Sequence, residues 1–106
     1  DYEGELAVII GRKCKNVSRE EALEYVLGYT CFNDVTARDL QRKDGQWTRA
    51  KSFDTFAPIG PYVACFKDAS NLKLETILNG TVVQSSSTSN LIFDIPTLIE
   101  FISSIM

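Results

Sequence analysis

The sequence predicts a mainly β, α+β fold in one domain that spans residues 1–106. Short apolar runs rich in β-branched residues outnumber the helical patterns, and two of these runs flank an Asn-Gly pair, which favours a hairpin turn. The helical patterns are too few to cover a parallel sheet on both faces. We therefore expect mainly antiparallel strands.

The first quarter of the chain predicts a strand followed by a helix. The strand is expected over Gly4–Ile10, where an apolar run follows two acidic residues. The helix is expected to begin at Ser18, because Glu21 completes a capping box three residues later. Gly28 is expected to end that helix, since glycine is common just beyond a helix C-terminus.

The middle of the chain predicts further short elements. A buried strand is expected over Tyr29–Phe32, a short helix over Ala37–Lys43, and another strand over Tyr62–Phe66. The strongest local pattern is Leu72–Leu78 and Thr81–Gln84 around Asn79-Gly80, which predicts a type I′ hairpin.

The last part of the chain predicts a polar loop and a helix. The serine-rich stretch Ser85–Asn90 contains no core-forming residue. A helix is expected to begin near Asp94-Ile95-Pro96, because proline suits the first turn. Its spacing predicts one buried stripe, formed by Ile95, Leu98, Ile99, Ile102 and Ile105.

Composition excludes several classes of function. The net charge of −3 provides no basic surface for nucleic acid, and no apolar run approaches the length of a membrane span. Three cysteines without a CxxC pair, and no export signal, predict free thiols and a cytoplasmic location. The chain has no histidine, so acid–base chemistry has to use carboxylates, lysine, a metal or groups outside this sequence.

Acidic residues at two strand ends form the first candidate site. Glu3 and Glu5 lie two residues apart and therefore on one face of a strand. They are a solvent-facing pair or, because Glu5 adjoins a buried run, the ligands of a cation. Asp34 is a third carboxylate or the N-cap of the next helix. Oxygen ligands of this kind suit Mg²⁺, Mn²⁺ or Ca²⁺ better than zinc.

Three further polar residues have two interpretations each. Arg38 and Gln41 share one helix face, as substrate ligands or as exposed surface. Lys51 lies among aromatic residues, where its ammonium is either partly desolvated and reactive or a surface group on a buried stem.

Taken together, several segments resemble the fumarylacetoacetate hydrolase family. The matching segments cover nearly the whole chain in the family's order: Glu3–Gly11, Gly28–Thr30, Asn33–Gln41, Trp47–Phe56, the hairpin around Asn79-Gly80, and Thr88–Phe93. Ala50 stands where many members have glycine. The family's His–Glu lid and its Gly/Thr-rich loop have no counterpart here, and the abrupt ends of the chain suggest a partial catalytic domain.

The resemblance implies the family's β-sandwich roll, a homodimer and a small 2-oxo-acid substrate. It implies that Glu3, Glu5 and Asp34 bind Mg²⁺ or Mn²⁺, with Ca²⁺ also possible. Arg38, Gln41 and Thr55 would contact the substrate, and Lys51 would be the catalytic residue that stabilises enolate charge. The serine-rich stretch Ser85–Asn90 would lie near the mouth of the site or at the subunit interface.

The reaction expected first is C–C bond hydrolysis of an acylpyruvate-type substrate through a metal-stabilised enolate. The alternatives are an isomerase or decarboxylase acting on 2-hydroxyhepta-2,4-diene-1,7-dioate or oxaloacetate, or a non-catalytic member of the family. The isolated chain is expected to be inactive, because the lid that would activate water is not in this sequence.

Overall fold

The computed structural model describes residues 1–106, and most of its regular structure is antiparallel β-sheet. One sheet has three strands in the order β1-β2-β3, and a separate hairpin pairs β4 with β5. The strands are β1 Gly4–Ile10, β2 Val26–Asn33, β3 Ile59–Ala64, β4 Lys73–Leu78 and β5 Thr81–Ser87. The predicted α+β class and the antiparallel pairing are confirmed.

Three α-helices and two 3₁₀ turns complete the fold. The helices are α1 Arg38–Asp44, α2 Thr48–Lys51 and α3 Ile95–Ile105, and the 3₁₀ turns are Ala22–Tyr25 and Thr88–Asn90. The predicted bounds of β1 and α1 and the predicted start of α3 agree with the structure to within about one residue. Helix α2, a single turn, was not predicted.

The helix predicted from Ser18 to Gly28 is wrong. The Ser18 hydroxyl does donate to the Glu21 carboxylate at 3.1 Å, but only the single turn Ala22–Tyr25 follows, and β2 begins at Val26. Gly28 lies inside β2 opposite Ile9. A Cβ at Gly28 would come within 2.6 Å of the Ala64 carbonyl oxygen. Glycine is therefore required here for close approach of β3, not for a helix end.

Two strand boundaries also differ from the sequence prediction. Strand β3 begins at Ile59 and ends at Ala64, so the predicted Tyr62–Phe66 is displaced toward the C-terminus. Strand β5 continues to Ser87, so half of the serine-rich stretch is paired with β4. The hairpin turn is confirmed, with positive φ angles of 50° at Asn79 and 81° at Gly80.

The core lies where α3 and the 3₁₀ turn Ala22–Tyr25 cover the sheet. Its buried residues are Val17, Ala22, Tyr29, Ala69, Ile95 and Ile99. The predicted stripe on α3 is buried only at Ile95 and Ile99, whereas Leu98, Ile102 and Ile105 are 39%, 49% and 66% exposed. The buried position that hydrophobicity could not predict is Ser103, whose hydroxyl accepts from the Val17 N–H at 3.1 Å.

Strand β1 has one paired edge and one open edge. Gly4 directs its N–H and carbonyl away from β2, toward the Gln84 carboxamide, with bonds of 2.9 and 3.1 Å. Backbone groups alternate in direction along a strand, so Leu6 and Val8 face the same open edge. Gln84 thus connects the hairpin to the sheet at the end of β1 that carries Glu3 and Glu5.

Candidate metal and substrate site

The three predicted metal ligands meet because β1 and β2 are antiparallel. The start of β1 lies beside the end of β2, with Gly4 opposite Asn33. The Asp34 N–H donates to the Glu3 carbonyl at 2.9 Å, and the Glu3 N–H donates to Asn33 Oδ1 at 2.9 Å. As a result, one carboxylate oxygen from each of Glu3, Glu5 and Asp34 lies within 4.8 Å of the others.

Helix α2 brings Lys51 to the same place. The Ala37 N–H donates to the Ala50 carbonyl at 2.9 Å, and Ala50 is completely buried, which fixes α2 against the segment after Asp34. The Lys51 ammonium bonds to Asp34 Oδ2 and lies 3.4 Å from Glu3 Oε1. It is also 5.8 Å from the centre of the Trp47 ring. The ammonium therefore lies inside the carboxylate cluster.

The surroundings shift the pKa values of the cluster residues in different directions. The hydrogen bond to Asp34 raises the pKa of Lys51 despite partial desolvation, so the ammonium stays charged. The Thr36 hydroxyl, followed by Arg38 and Lys51, lowers the pKa of Glu3 against the opposing effect of burial. Desolvation, then the nearby charges of Asp34 and Glu3, raises the pKa of Glu5. Glu5 is therefore the least compensated charge in the site.

Arg38 and Gln41 lie beside the cluster on α1 and contact each other. The Arg38 guanidinium donates to Gln41 Oε1 at 2.8 Å, to Glu3 Oε1 at 2.8 Å and to Asp1 Oδ2 at 2.9 Å. In this arrangement Arg38 orients Glu3, and the Gln41 amide N–H₂ has no protein acceptor. Asp34 is not the N-cap of α1, because Ala37 occupies that position.

Thr55 is not joined to the cluster by any hydrogen bond. It is exposed and has a positive φ of 72°, an uncommon conformation for a β-branched residue. Its role as a substrate ligand stays a prediction from the resemblance. The structure instead adds Thr36, which the sequence reasoning passed over. No local sequence signal marks Thr36, because its partners Glu3 and Lys51 lie 33 and 15 residues away in the chain.

The family model for the fumarylacetoacetate hydrolase C-terminal domain matches residues 1–106, the whole chain. The chain belongs to the fumarylacetoacetate hydrolase family. A protein of Archaeoglobus fulgidus is 67% identical to it over 106 residues, covering 100% of this chain and 42% of that protein. The oxaloacetate tautomerase YisK of Bacillus subtilis is 48% identical over 106 residues, covering 97% of this chain and 35% of its own length.

Solved structures of the family have the same fold. The 2-hydroxyhepta-2,4-diene-1,7-dioate isomerase of Mycobacterium marinum superposes with a TM-score of 0.96 at 51% identity. That match covers 99% of this chain and 42% of the isomerase. The chain thus spans less than half the length of these relatives. No helix in it has the length and apolarity that crossing a membrane requires.

The donor set fits the divalent cation that enzymes of this family generally use. Carboxylate oxygens are the ligands that Mg²⁺, Mn²⁺ and Ca²⁺ prefer. Lys51 and Arg38 provide two positive charges beside the three carboxylates, and no protein cation bonds to Glu5. The Glu5 side chain is exposed at the edge of the cluster, where desolvation and then the charges of Asp34 and Glu3 raise its pKa.

The serine-rich stretch shares a cavity with Glu5. A cavity of about 400 Å³ lies between β1 and β5 and is lined by Glu5 together with Ser86, Ser87, Thr88 and Asn90. Glu3, Asp34 and Lys51 do not line this cavity, so the position of the stretch at the mouth of the site or at a subunit interface stays a prediction. The hydroxyls of this stretch are bonded within the protein: Ser85 donates to the Glu75 carboxylate at 3.4 Å, Ser87 to Asn71 Oδ1 at 3.1 Å and Thr88 to the Ala69 carbonyl at 2.6 Å.

Proposed function

We propose that this chain provides the cation-binding and substrate-binding core of an enzyme that converts 2-oxo acids by keto–enol tautomerisation or double-bond isomerisation. The observation that carries the proposal is the contact of the Lys51 ammonium with the Asp34 carboxylate inside a cluster of three acidic groups. The named reactions of two relatives, an oxaloacetate tautomerase and a dienedioate isomerase, support this reaction class.

Glu3, Glu5 and Asp34 would hold the cation, with Mg²⁺ or Mn²⁺ proposed first and Ca²⁺ as an alternative. When bound, such a cation would supply Lewis-acid polarisation of the substrate's carbonyl oxygen.

Lys51 would supply a fixed positive charge next to the oxygen that becomes negative in the enolate. Its three protons point to Asp34, Thr36 and, at the longest distance of 3.4 Å, Glu3. We infer that a substrate oxygen replaces the Glu3 contact, since that bond is the weakest of the three. A charge held in place before the reaction stabilises the transition state without reorganisation.

Arg38 and Gln41 would complete the substrate side of the site. Because Arg38 holds both Glu3 and Gln41 Oε1, it orients the Gln41 amide as a hydrogen-bond donor. Thr55 is proposed as a further substrate contact on the resemblance alone. The homodimer, the cytoplasmic location and the lid residues outside this sequence stay predictions.

C–C bond hydrolysis, the reaction expected first from the sequence, also stays a prediction. It requires a base that activates water, and the chain has no histidine. Within the cluster, Glu3 and Asp34 accept hydrogen bonds from Lys51, which leaves Glu5 as the carboxylate without a protein donor. Product analysis distinguishes tautomerisation from the two alternatives, which are decarboxylation and a non-catalytic role.

The experiment is a metal-dependent tautomerisation assay on oxaloacetate, run on the full-length protein because this chain spans less than half the length of its relatives. The disappearance of the enol is followed by absorbance with Mg²⁺ or Mn²⁺ and with a chelator, while pyruvate is measured to detect decarboxylation. We expect metal-dependent loss of the enol that Lys51→Met lowers and that Lys67→Met, an exposed lysine without an ion pair, does not change. Metal-independent rates, or equal rates for both variants, would reject the proposal.

A further inference from the structure

A buried hydroxyl lies at the centre of the candidate site. Thr36 is 0% exposed, and its Oγ1 lies 2.6 Å from Glu3 Oε1 and 2.9 Å from both the Asp34 carbonyl and the Lys51 ammonium. A hydroxyl donates one hydrogen bond and accepts two. The Thr36 hydroxyl therefore donates its proton to the Glu3 carboxylate, its shortest contact, and its oxygen accepts a hydrogen bond from Lys51.

The position of this hydroxyl is fixed by the main chain. The Thr36 N–H donates to the Asp1 carbonyl at 3.0 Å, and the Asp1 nitrogen donates to the Thr36 carbonyl at 2.7 Å. These two bonds hold Thr36 against the residues that precede β1. Complete burial and a branched Cβ limit rotation of the side chain. Thr36 is therefore a rigid donor between two segments of the site.

The donors around Glu3 converge on one oxygen. Thr36 at 2.6 Å, Arg38 at 2.8 Å and Lys51 at 3.4 Å all contact Oε1. No protein donor contacts Oε2. The protein thus uses one oxygen of Glu3 to hold the carboxylate in place and leaves the other to face a ligand.

We propose that Thr36 is a positioning residue that orients Glu3 Oε2 toward the cation and places the Lys51 ammonium beside it. This rests on the proposed function, because it assigns a role to Thr36 in binding the same cation. A threonine retained for packing alone would be satisfied by the Asp34 carbonyl, and valine would fill the same volume. Groups that orient a metal ligand typically contribute about 10–100-fold in metal affinity.

The test is a titration of the purified protein with Mn²⁺, with free Mn²⁺ measured by electron paramagnetic resonance. Thr36→Val removes the hydroxyl at nearly constant volume, and Thr36→Ser keeps it. Thr30→Val is the matched control, because Thr30 is 8% exposed and its hydroxyl has no hydrogen-bond partner. We expect Thr36→Val to bind Mn²⁺ about 10–100-fold more weakly, and Thr36→Ser and Thr30→Val to bind like wild type.

Thermal unfolding of the chelator-treated proteins separates positioning from folding. If Thr36→Val does not fold, Thr36→Ser is compared with Thr36→Ala, since both lack the methyl group and only one has the hydroxyl. Equal Mn²⁺ affinity within the pair that folds would overturn the role of Thr36 while the proposed function stands. A wild-type protein that binds no Mn²⁺ would overturn both.

Discussion

The backbone N–H of Asp34 donates a 2.9 Å hydrogen bond to the carbonyl oxygen of Glu3. This bond extends the β1–β2 pairing by one residue beyond Asn33. The Asp34 carboxylate therefore lies beside those of Glu3 and Glu5 without an intervening long loop. The separation of the acidic groups is therefore set by sheet geometry. A site placed on paired strands is held more rigidly than one placed on a free loop.

Lys51→Met tests whether the ammonium acts on the reacting oxygen. Methionine keeps most of the stem and removes the charge, so the packing beside Trp47 should change little. Loss of a preorganised charge donor typically lowers turnover by about 10²–10³-fold. We expect that loss in kcat for oxaloacetate tautomerisation, and Mn²⁺ affinity that is not weakened, because a cation competing for Asp34 has been removed. Near-normal kcat would make Lys51 a bystander.

Glu5→Gln tests the uncompensated carboxylate through pH-dependent stability. Folding raises the pKa of Glu5 above its ordinary 4.5, mainly by desolvation and then by the charges of Asp34 and Glu3. A carboxyl group whose pKa is raised by folding contributes its full stabilisation of the folded state at pH values below 4.5. This contribution is lost as the pH rises through the pKa of the group in the folded protein. Because Glu5 is exposed and its charge is screened by solvent, we expect only a small effect: in chelator, Glu5→Gln should unfold at a slightly higher temperature than wild type at pH 7.

The same pair of proteins should unfold alike below pH 4.5, where Glu5 is protonated in wild type too. The measurement is thermal unfolding by circular dichroism across that pH range. A difference that persists unchanged at low pH would mean that the substitution acts through packing and not through charge.

Gly28→Ala tests the contact between β2 and β3. The added Cβ would lie 2.6 Å from the Ala64 carbonyl oxygen, a backbone atom that cannot move without shifting the strand. Overpacking of this kind typically destabilises a protein by about 1–3 kcal/mol. Cys31→Ala, at an exposed position of the same strand, is the control. Denaturant unfolding that gives equal stabilities for the two variants would contradict the close approach.

Much of the fold followed from local patterns. The hairpin at Asn79-Gly80, the strand Gly4–Ile10 and the helix begun by Asp94 each have a signal within a few residues, and each agrees with the structure. The Ser18–Gly28 helix was wrong because its capping pair is local, whereas the pairing of Val26 with Ile10 in the sheet is not. Long-range pairing overrode the helical pattern.

The same limit applies to the candidate site. The carboxylates and Lys51 were named from motifs, and antiparallel pairing brings them together. Thr36 was missed because a threonine between a valine and an alanine has no pattern of its own. Its importance arises from burial and from partners 33 and 15 residues away. The Gln84 bridge to Gly4 spans 80 residues and has no local signal either.

Amide hydrogen exchange tests the open edge of β1. The N–H groups of Leu6 and Val8 face away from β2, whereas those of Glu5 and Ala7 face it. Gly4 faces the open edge too but donates to Gln84. In this 106-residue chain we expect faster exchange at Leu6 and Val8 than at Glu5 and Ala7. The opposite alternation, measured by nuclear magnetic resonance, would contradict the register of β1 against β2.

The most direct test of the central claim is an anomalous difference map from crystals of the protein soaked in Mn²⁺. The three carboxylates are expected to share one ion, with oxygen ligands at about 2.0–2.6 Å. We predict one peak that lies within that distance of Glu3, Glu5 and Asp34, and no peak at this position in crystals of Asp34→Asn. A peak elsewhere on the chain, or an ion that leaves Asp34 outside its ligands, would contradict the assignment of this cluster as the metal site.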